Sequence, residues 1–169
     1  GNSIIGEKEL YDYNNCFAER YSIKNSDKKD FNNCWMLKRE NGQFISKEKR
    51  KFFSYGNSFN EHLTPLYAEI VQKVDNFSFN SFFSRGCISS SKIQFSTEIE
   101  KGVCNKIFKN YLNFFILNSD KGDSLIISSS YNYFSEKLND FKVFVNKVDE
   151  ISEAEALNIW IEELNHIGE

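Results

Sequence analysis

Asn41-Gly42 lies between Cys34-Trp35-Met36-Leu37 on one side and Phe44-Ile45 on the other. A two-residue loop of type I′ needs positive φ at both central positions, and Asn-Gly meets that need at the lowest steric cost. The stretch Cys34 to Ile45 is therefore expected to form a β-hairpin. Downstream, Phe77/Phe79 and Ile93/Phe95 alternate with polar residues, so Phe77 to Ile99 carries further strand signals.

Other segments change to the helical period. Thr64-Pro65 offers an N-cap followed by a residue that loses no bond at the first helical position. Leu66, Ile70 and Val74 then share one face, with Tyr67 and Val71 beside them. Cys104, Ile107, Phe108, Tyr111, Leu112 and Phe115 form a second stripe; Phe114-Phe115-Ile116-Leu117 also suits a buried strand. Gly56-Asn57-Ser58 and Asp120-Lys121-Gly122-Asp123 are turns, and Leu125-Ile126-Ile127 opens a strand toward Tyr133. Ser135 caps a helix through Leu138, Phe141, Val145 and Val148. Ser152 and Glu155 make a capping box for a last helix with Ile151, Ala154, Leu157, Ile161 and Leu164 as its apolar stripe. A short helix near Glu7–Tyr21 precedes all of this. The sum is a single α+β domain over residues 1–169, with 1–33 as a peripheral helix and loop. Antiparallel hairpins stand in the middle, helices pack on the sheet, and an acidic amphipathic helix ends the chain.

No apolar run approaches the roughly 18 residues of a membrane-spanning helix. The formal net charge is -3, but it is unevenly spread. From Asp149 to Glu169 there are seven acidic residues and no Lys or Arg, while the remainder carries 21 basic residues against 17 acidic ones. An acidic helix on a mildly basic body is either a solvated face whose early acids suit the helix N-terminus or, as the functional expectation, a docking surface for a basic partner. Glu153, Glu155, Glu162 and Glu163 are the residues expected to bind it. The Lys47–Lys51 cluster is a solvated turn, so nucleic acid is not expected as the main ligand.

The four cysteines, Cys16, Cys34, Cys87 and Cys104, contain no CxxC pair, which argues against a structural zinc site. They are expected as reduced, partly buried thiols of a cytoplasmic protein. The alternative is a secreted or periplasmic protein, its signal peptide removed, with two disulfides in one of three connectivities.

Nucleotide loops of the G-x-x-x-x-G-K-[ST] and G-x-G-x-x-G types are absent, as are H-E-x-x-H and G-x-S-x-G. No cofactor and no metal are expected. His62 and His166 are the only histidines. Asn33-Cys34-Trp35 locally resembles the Cys-Trp step at the nucleophile of papain-like and calpain-like proteases, with His166 downstream in the chain order those enzymes use. That resemblance implies a thiol hydrolase, protease or deamidase with Cys34 and His166 in catalysis. Arg85-Gly86, Ser96-Thr97 and Glu98-Ile99-Glu100 have the residue types of ADP-ribosyltransferases, but they crowd into one short stretch instead of separate strands. The favoured expectation is a protein-binding domain, most specifically a bacterial immunity or antitoxin-like inhibitor of a basic toxin or enzyme domain; the alternative is a secreted effector or toxin enzyme using Cys34.

Overall fold

The computed structural model describes residues 15–19, 29–36, 39–40, 43–44, 50–95, 103–129, 143–146 and 148–168. Its elements are β1 (Phe17–Glu19), a 3-10 turn (Phe31–Cys34), β2 (Trp35–Met36), β3 (Arg39–Glu40), β4 (Gln43–Phe44), β5 (Arg50–Gly56), α1 (Ser58–Lys73), β6 (Phe77–Arg85), β7 (Ile93–Phe95), α2 (Val103–Asn118), β8 (Ser124–Ser128), β9 (Val143–Val145), β10 (Asp149–Ile151) and α3 (Glu153–Gly168). Helices and mixed sheets make an α+β fold, as expected. No helix among the described residues is long and apolar enough to cross a membrane.

The main sheet has the order β1-β6-β5-β8, and β2 shares the β1 edge of β6. Here the structure departs from the expected hairpins. β5 runs parallel to both β6 and β8, and β1 is also parallel to β6; only β2 is antiparallel. Parallel neighbours need crossover connections, which α1 supplies between β5 and β6. The hairpin around Asn41-Gly42 does form as β3 and β4, in the register Arg39↔Phe44 and Glu40↔Gln43. It is shorter than expected, because Trp35 and Met36 pair with Asn80 and Phe79 of β6 instead. A separate antiparallel sheet has the order β10-β9-β7.

The main sheet is covered on both faces. Phe53 and Tyr55 of β5 meet Phe115 and Phe108 of α2. The alternate residue Ser54 faces α1, where it bonds with Tyr67 and Asn60. β6 alternates in the same way: Asn80 and Phe82 meet Tyr111 of α2, while Phe79 stacks on Tyr67 of α1. Phe53, Tyr55, Phe82, Phe108 and Tyr111 are wholly buried, and burial pushes the Tyr111 hydroxyl well above its ordinary pKa. It stays a neutral donor to the carbonyl and side chain of Asn80. Aromatic edge and offset contacts of this kind add about 0.5–1.5 kcal/mol each beyond burial of area.

At the amino end of β5, the Lys51 ammonium meets Asp120 at 2.5 Å and Asp123 at 3.3 Å across the turn that leads into β8. The bond to Asp120 is the main reason that the Lys51 pKa is raised. Arg50 and Lys51 thus open a strand; the rest of the Lys47–Lys51 cluster lies outside the described residues.

Several helix boundaries and faces differ from expectation. α1 begins at Ser58 with Asn57 as its N-cap, and Pro65 lies inside it. Thr64 is not a cap: its hydroxyl donates to the carbonyl of Asn60 one turn back. The buried face of α1 is Asn60, Thr64, Tyr67, Ala68 and Val71, so Leu66 and Val74 are exposed. Phe114 to Leu117 belong to α2, not to a strand. Phe17–Glu19 is a strand where a helix was expected; the rest of the Glu7–Tyr21 reading lies outside the described residues. So does most of the helix read from Ser135, while Val143–Val145 is a strand and Val148 is exposed. Ser152 caps α3 by accepting from the Glu155 N–H at 3.2 Å. The inward face of α3, however, carries Ala156, Ile159 and Trp160, leaving Leu157 and Ile161 outside.

Gly56 ends β5 where no side chain fits. A Cβ there would lie 2.1 Å from the Ser128 carbonyl oxygen and 2.8 Å from the Asn60 Cβ. Gly56→Ala must push β8 or α1 away, so urea unfolding is expected to show a loss of at least about 1–3 kcal/mol. An unchanged midpoint would mean that β8 does not close on this residue.

Candidate functional site

All strands of a parallel sheet end on one edge, and the helices that follow them start there. Where consecutive crossovers leave in opposite directions, the carboxyl edge opens a crevice suited to ligands. The chain leaves β5 through α1 to β6 on one side, and from β6 it reaches β8 on the other side of β5. The switch point is therefore between β5 and β8, at Gly56 and Ser128, which are partners in the register.

The turn at this point is Gly56-Asn57-Ser58. Asn57 N–H donates to the Ser128 carbonyl at 3.2 Å, which fixes the turn on β8. The Asn57 side chain accepts from Phe59 N–H at 3.0 Å and so caps α1. Asn57 is wholly buried, and its Nδ2 donates to nothing. Ser58 opens the helix and is half-buried. The N-terminus of a 16-residue helix favours developing negative charge at this position.

Buried polar bonds hold the first turns of α1 on the sheet. Asn60 Nδ2 donates to Ser81 Oγ at 3.1 Å and to the Phe82 carbonyl at 3.0 Å. Its Oδ1 accepts from Tyr67 at 3.3 Å and from Ser54. Nearby, Arg85 at the end of β6 grips Glu61 of α1 through Nε at 2.9 Å and Nη2 at 2.5 Å. The guanidinium also covers the Phe17 ring, 5.1 Å from its centroid. Beyond the ends of β6 and β8, the Ser89 and Ser129 hydroxyls are hydrogen-bonded at 3.2 Å.

The residues expected from sequence lie elsewhere. Cys34 is wholly buried and joined to Cys16 in a disulfide, and Cys87 is joined to Cys104. This overturns both the expectation of reduced thiols and the role of Cys34 as nucleophile, since a disulfide sulfur carries no thiolate. His166 is exposed in the last turn of α3. Glu98, Glu100, Ser96 and Thr97 lie outside the described residues, and Arg85 is engaged by Glu61. Among the described residues, no group of three or more His, Cys, Asp or Glu could hold a metal ion.

Of the four glutamates, Glu155 and Glu162 are exposed, Glu153 is half-buried, and Glu163 is only 5% exposed. Glu163 is withdrawn from any docking face by its bonds. It accepts from Ser90 Oγ at 2.5 Å and Ser91 N–H at 2.7 Å, and from the Ser91 hydroxyl. Asn105 of α2 donates to the Ser90 carbonyl at 2.7 Å, and Trp160 Nε1 donates to the Ser89 carbonyl at 2.8 Å. The segment Ser89–Ser91 is thus a polar joint between α2 and α3, and no run of small polar residues announces such a joint by itself.

Sequence reasoning placed Gly56-Asn57-Ser58 correctly as a turn and missed its position in the fold. The available signal was the small-residue turn between an aromatic strand and an amphipathic helix. Comparison with family models, curated proteins and solved structures finds no match to the chain.

Removing the Glu163 carboxylate leaves three donors without an acceptor. Glu163→Ala is expected to cost about 2–4 kcal/mol, and Glu163→Gln, which keeps one acceptor oxygen, about half as much. Thermal melts of the two variants check this; equal melting to the original chain would show that the joint contributes nothing.

Proposed function

We propose that the carboxyl edge of the sheet at the β5/β8 switch point is an acyl-ester site in which Ser58 is the nucleophile. The observation that carries the reading is the turn itself. A strand, a glycine with no room for a Cβ, a capping Asn and a half-buried serine lead into a helix at the β5/β8 switch point. A serine on a tight strand-to-helix turn is a recurrent way to present a nucleophile in parallel α/β sheets. In the reaction, Ser58 Oγ adds to the acyl carbon while its proton passes to a base. The ester C–O bond then breaks, and the alcohol leaves with that proton. Water releases the acid and restores Ser58; an acceptor alcohol in its place gives acyl transfer.

His62 is the base that best fits this scheme. It is exposed, and it stands four residues after Ser58 on the same helix, where side chains are neighbours. The Ser58 N–H at the helix start is the donor suited to the developing oxyanion. The two disulfides favour a secreted or periplasmic setting over the cytoplasm.

A fluorophosphonate probe is expected to form a one-to-one adduct on Ser58, located by peptide mass spectrometry. Hydrolysis of p-nitrophenyl acetate is expected to fall about 100-fold or more in Ser58→Ala, and to fall also in His62→Ala. No adduct, with turnover equal in Ser58→Ala, would remove this reading.

A second reading keeps the immunity or antitoxin-like inhibitor, on a smaller surface. α3 exposes Leu157 and Ile161 on one flank and Glu155 and Glu162 on the other, so its outer side carries apolar and acidic residues. Such a face suits a basic protein partner. A basic partner retained by the original chain at moderate salt is expected to be lost by Glu155→Lys with Glu162→Lys; retention by that double variant would exclude the face.

A further inference from the structure

β8 ends the main sheet. Its inner edge pairs with β5 from Ser124 to Ser128, and no strand among the described residues pairs with its outer edge. An open edge is a row of unpaired N–H and C=O groups, and edge strands commonly block further pairing with a charge, a Pro or a bulge. Ser124-Leu125-Ile126-Ile127-Ser128 has no charge and no Pro, and its register with β5 runs unbroken. That register sets Leu125 and Ile127 beside Phe53 and Tyr55 on the α2 face, and Ile126 beside Ser54 on the α1 face. All five residues are half-buried.

Both helices carry apolar side chains on the flank nearest this edge. On α1, Glu61 stands about 100° round the helix from Asn60 and is held by Arg85 of β6, which sets the opposite flank toward β8. That flank carries Phe59, 54% exposed, Leu63, 36% exposed, and Ile70, half-buried. On α2, Phe114 meets Trp35 of β2, so the flank toward β8 is the one with Leu112, half-buried, and Ile116, 67% exposed.

We propose that β8 pairs antiparallel with β8 of a second copy of this chain, about a two-fold axis at Ile126, so that the two main sheets become one. A two-fold interface has to be self-complementary. β8 meets that condition in its sequence, because Ser124 falls opposite Ser128, Leu125 opposite Ile127, and Ile126 opposite its own counterpart. Residues directly opposed in an antiparallel pair share a face, so α1 meets α1 and α2 meets α2 across the seam and their apolar flanks are buried together. The strand brings no charge to the seam. Asp120 and Asp123 at its start are paired with Lys51, and the two copies of that turn stand at opposite ends of the pair, so no like charges meet. A strand edge with two helix flanks offers on the order of several hundred Å² from each copy, the scale of the roughly 800 Å² per partner of a stable interface. The pairing is independent of the role of Ser58.

Sedimentation equilibrium of the full chain is expected to approach twice the chain mass as concentration rises. Leu63→Lys with Ile116→Lys should weaken association at least about tenfold; both positions are exposed, and circular dichroism verifies the fold. Cross-linking reads the register. Antiparallel partners have Cα atoms about 4.5–5.5 Å apart, within reach of a disulfide. Ile126→Cys is therefore expected to oxidise to a covalent dimer by itself, and Ser124→Cys only when mixed with Ser128→Cys. The native cysteines are already joined in pairs and do not compete. A chain that stays monomeric and gives no Ile126→Cys dimer overturns the proposal. So does association that the double lysine variant leaves unchanged, or cross-linking of Ser124→Cys alone. A monomer whose β8 amides exchange slowly with solvent also overturns it, since another segment then covers the edge.

Discussion

β5 is hydrogen-bonded on both edges and covered on both faces, and the rest of the architecture follows from that position. Its pairing with β6 extends from Arg50↔Phe77 to Gly56↔Phe83, and its pairing with β8 from Phe52↔Ser124 to Gly56↔Ser128. A one-residue slip would turn Phe53 and Tyr55 toward α1 and carry Ser54 into the aromatic layer under α2. The slip would also strand Asn60, whose amide is matched to Ser54, Ser81 and the Phe82 carbonyl. Packing on one face and hydrogen bonding on the other thus select the same register. The end of β5 is fixed as a result, and with it the turn that presents Ser58.

The two disulfides act where the sheet has least of its own pairing. β1 and β2 are three and two residues long and share one edge of β6, too short to hold by ladder bonds. Cys16–Cys34 ties the two together next to that edge. Cys87–Cys104 joins the exit of β6 to the first turn of α2, across the segment that holds the Ser89–Ser91 joint. Their sequence separations of 18 and 17 correspond to about 3 kcal/mol each in the loop-entropy account. The carboxyl edge is therefore held by covalent and polar bonds as well as by packing.

The helical period made α2 and the start of α3 legible, and Asn41-Gly42 made the small hairpin legible. The parallel sheet was hidden because β6 alternates Phe with Ser and Asn. That pattern signals a half-exposed strand, yet Ser78, Asn80, Ser81 and Ser84 are all buried. Their partners come from distant segments: Asn80 bonds to the Phe31 carbonyl and to Tyr111, and no local pattern encodes those contacts. Thr64-Pro65 offered a stronger local start signal than Asn57, but contacts of the preceding turn with β5 and β6 extend α1 back to Ser58. The inward face of α3 was ambiguous because the helix has two apolar rows, and the bond from Trp160 to the Ser89 carbonyl decides between them. Ser58 became visible only when the strand order placed its turn at a switch point.

Burial of Glu163 also changes the weight of the two functional readings. Counted along the chain, the terminal acidic run suggests a broad electrostatic surface. In the fold, one of those carboxylates serves Ser90 and Ser91, and Glu153 is half-buried. Exposed charge on α3 then rests mainly on Glu155 and Glu162, which salt screens readily. The Gly56-Asn57-Ser58 turn is instead held by uncharged hydrogen bonds, from Asn57 N–H to the Ser128 carbonyl and from Phe59 N–H to the Asn57 side chain. The composition that first pointed to a docking helix is in part the composition of an internal joint, and the chemistry we propose lies at the opposite kind of feature, the uncharged turn Gly56-Asn57-Ser58.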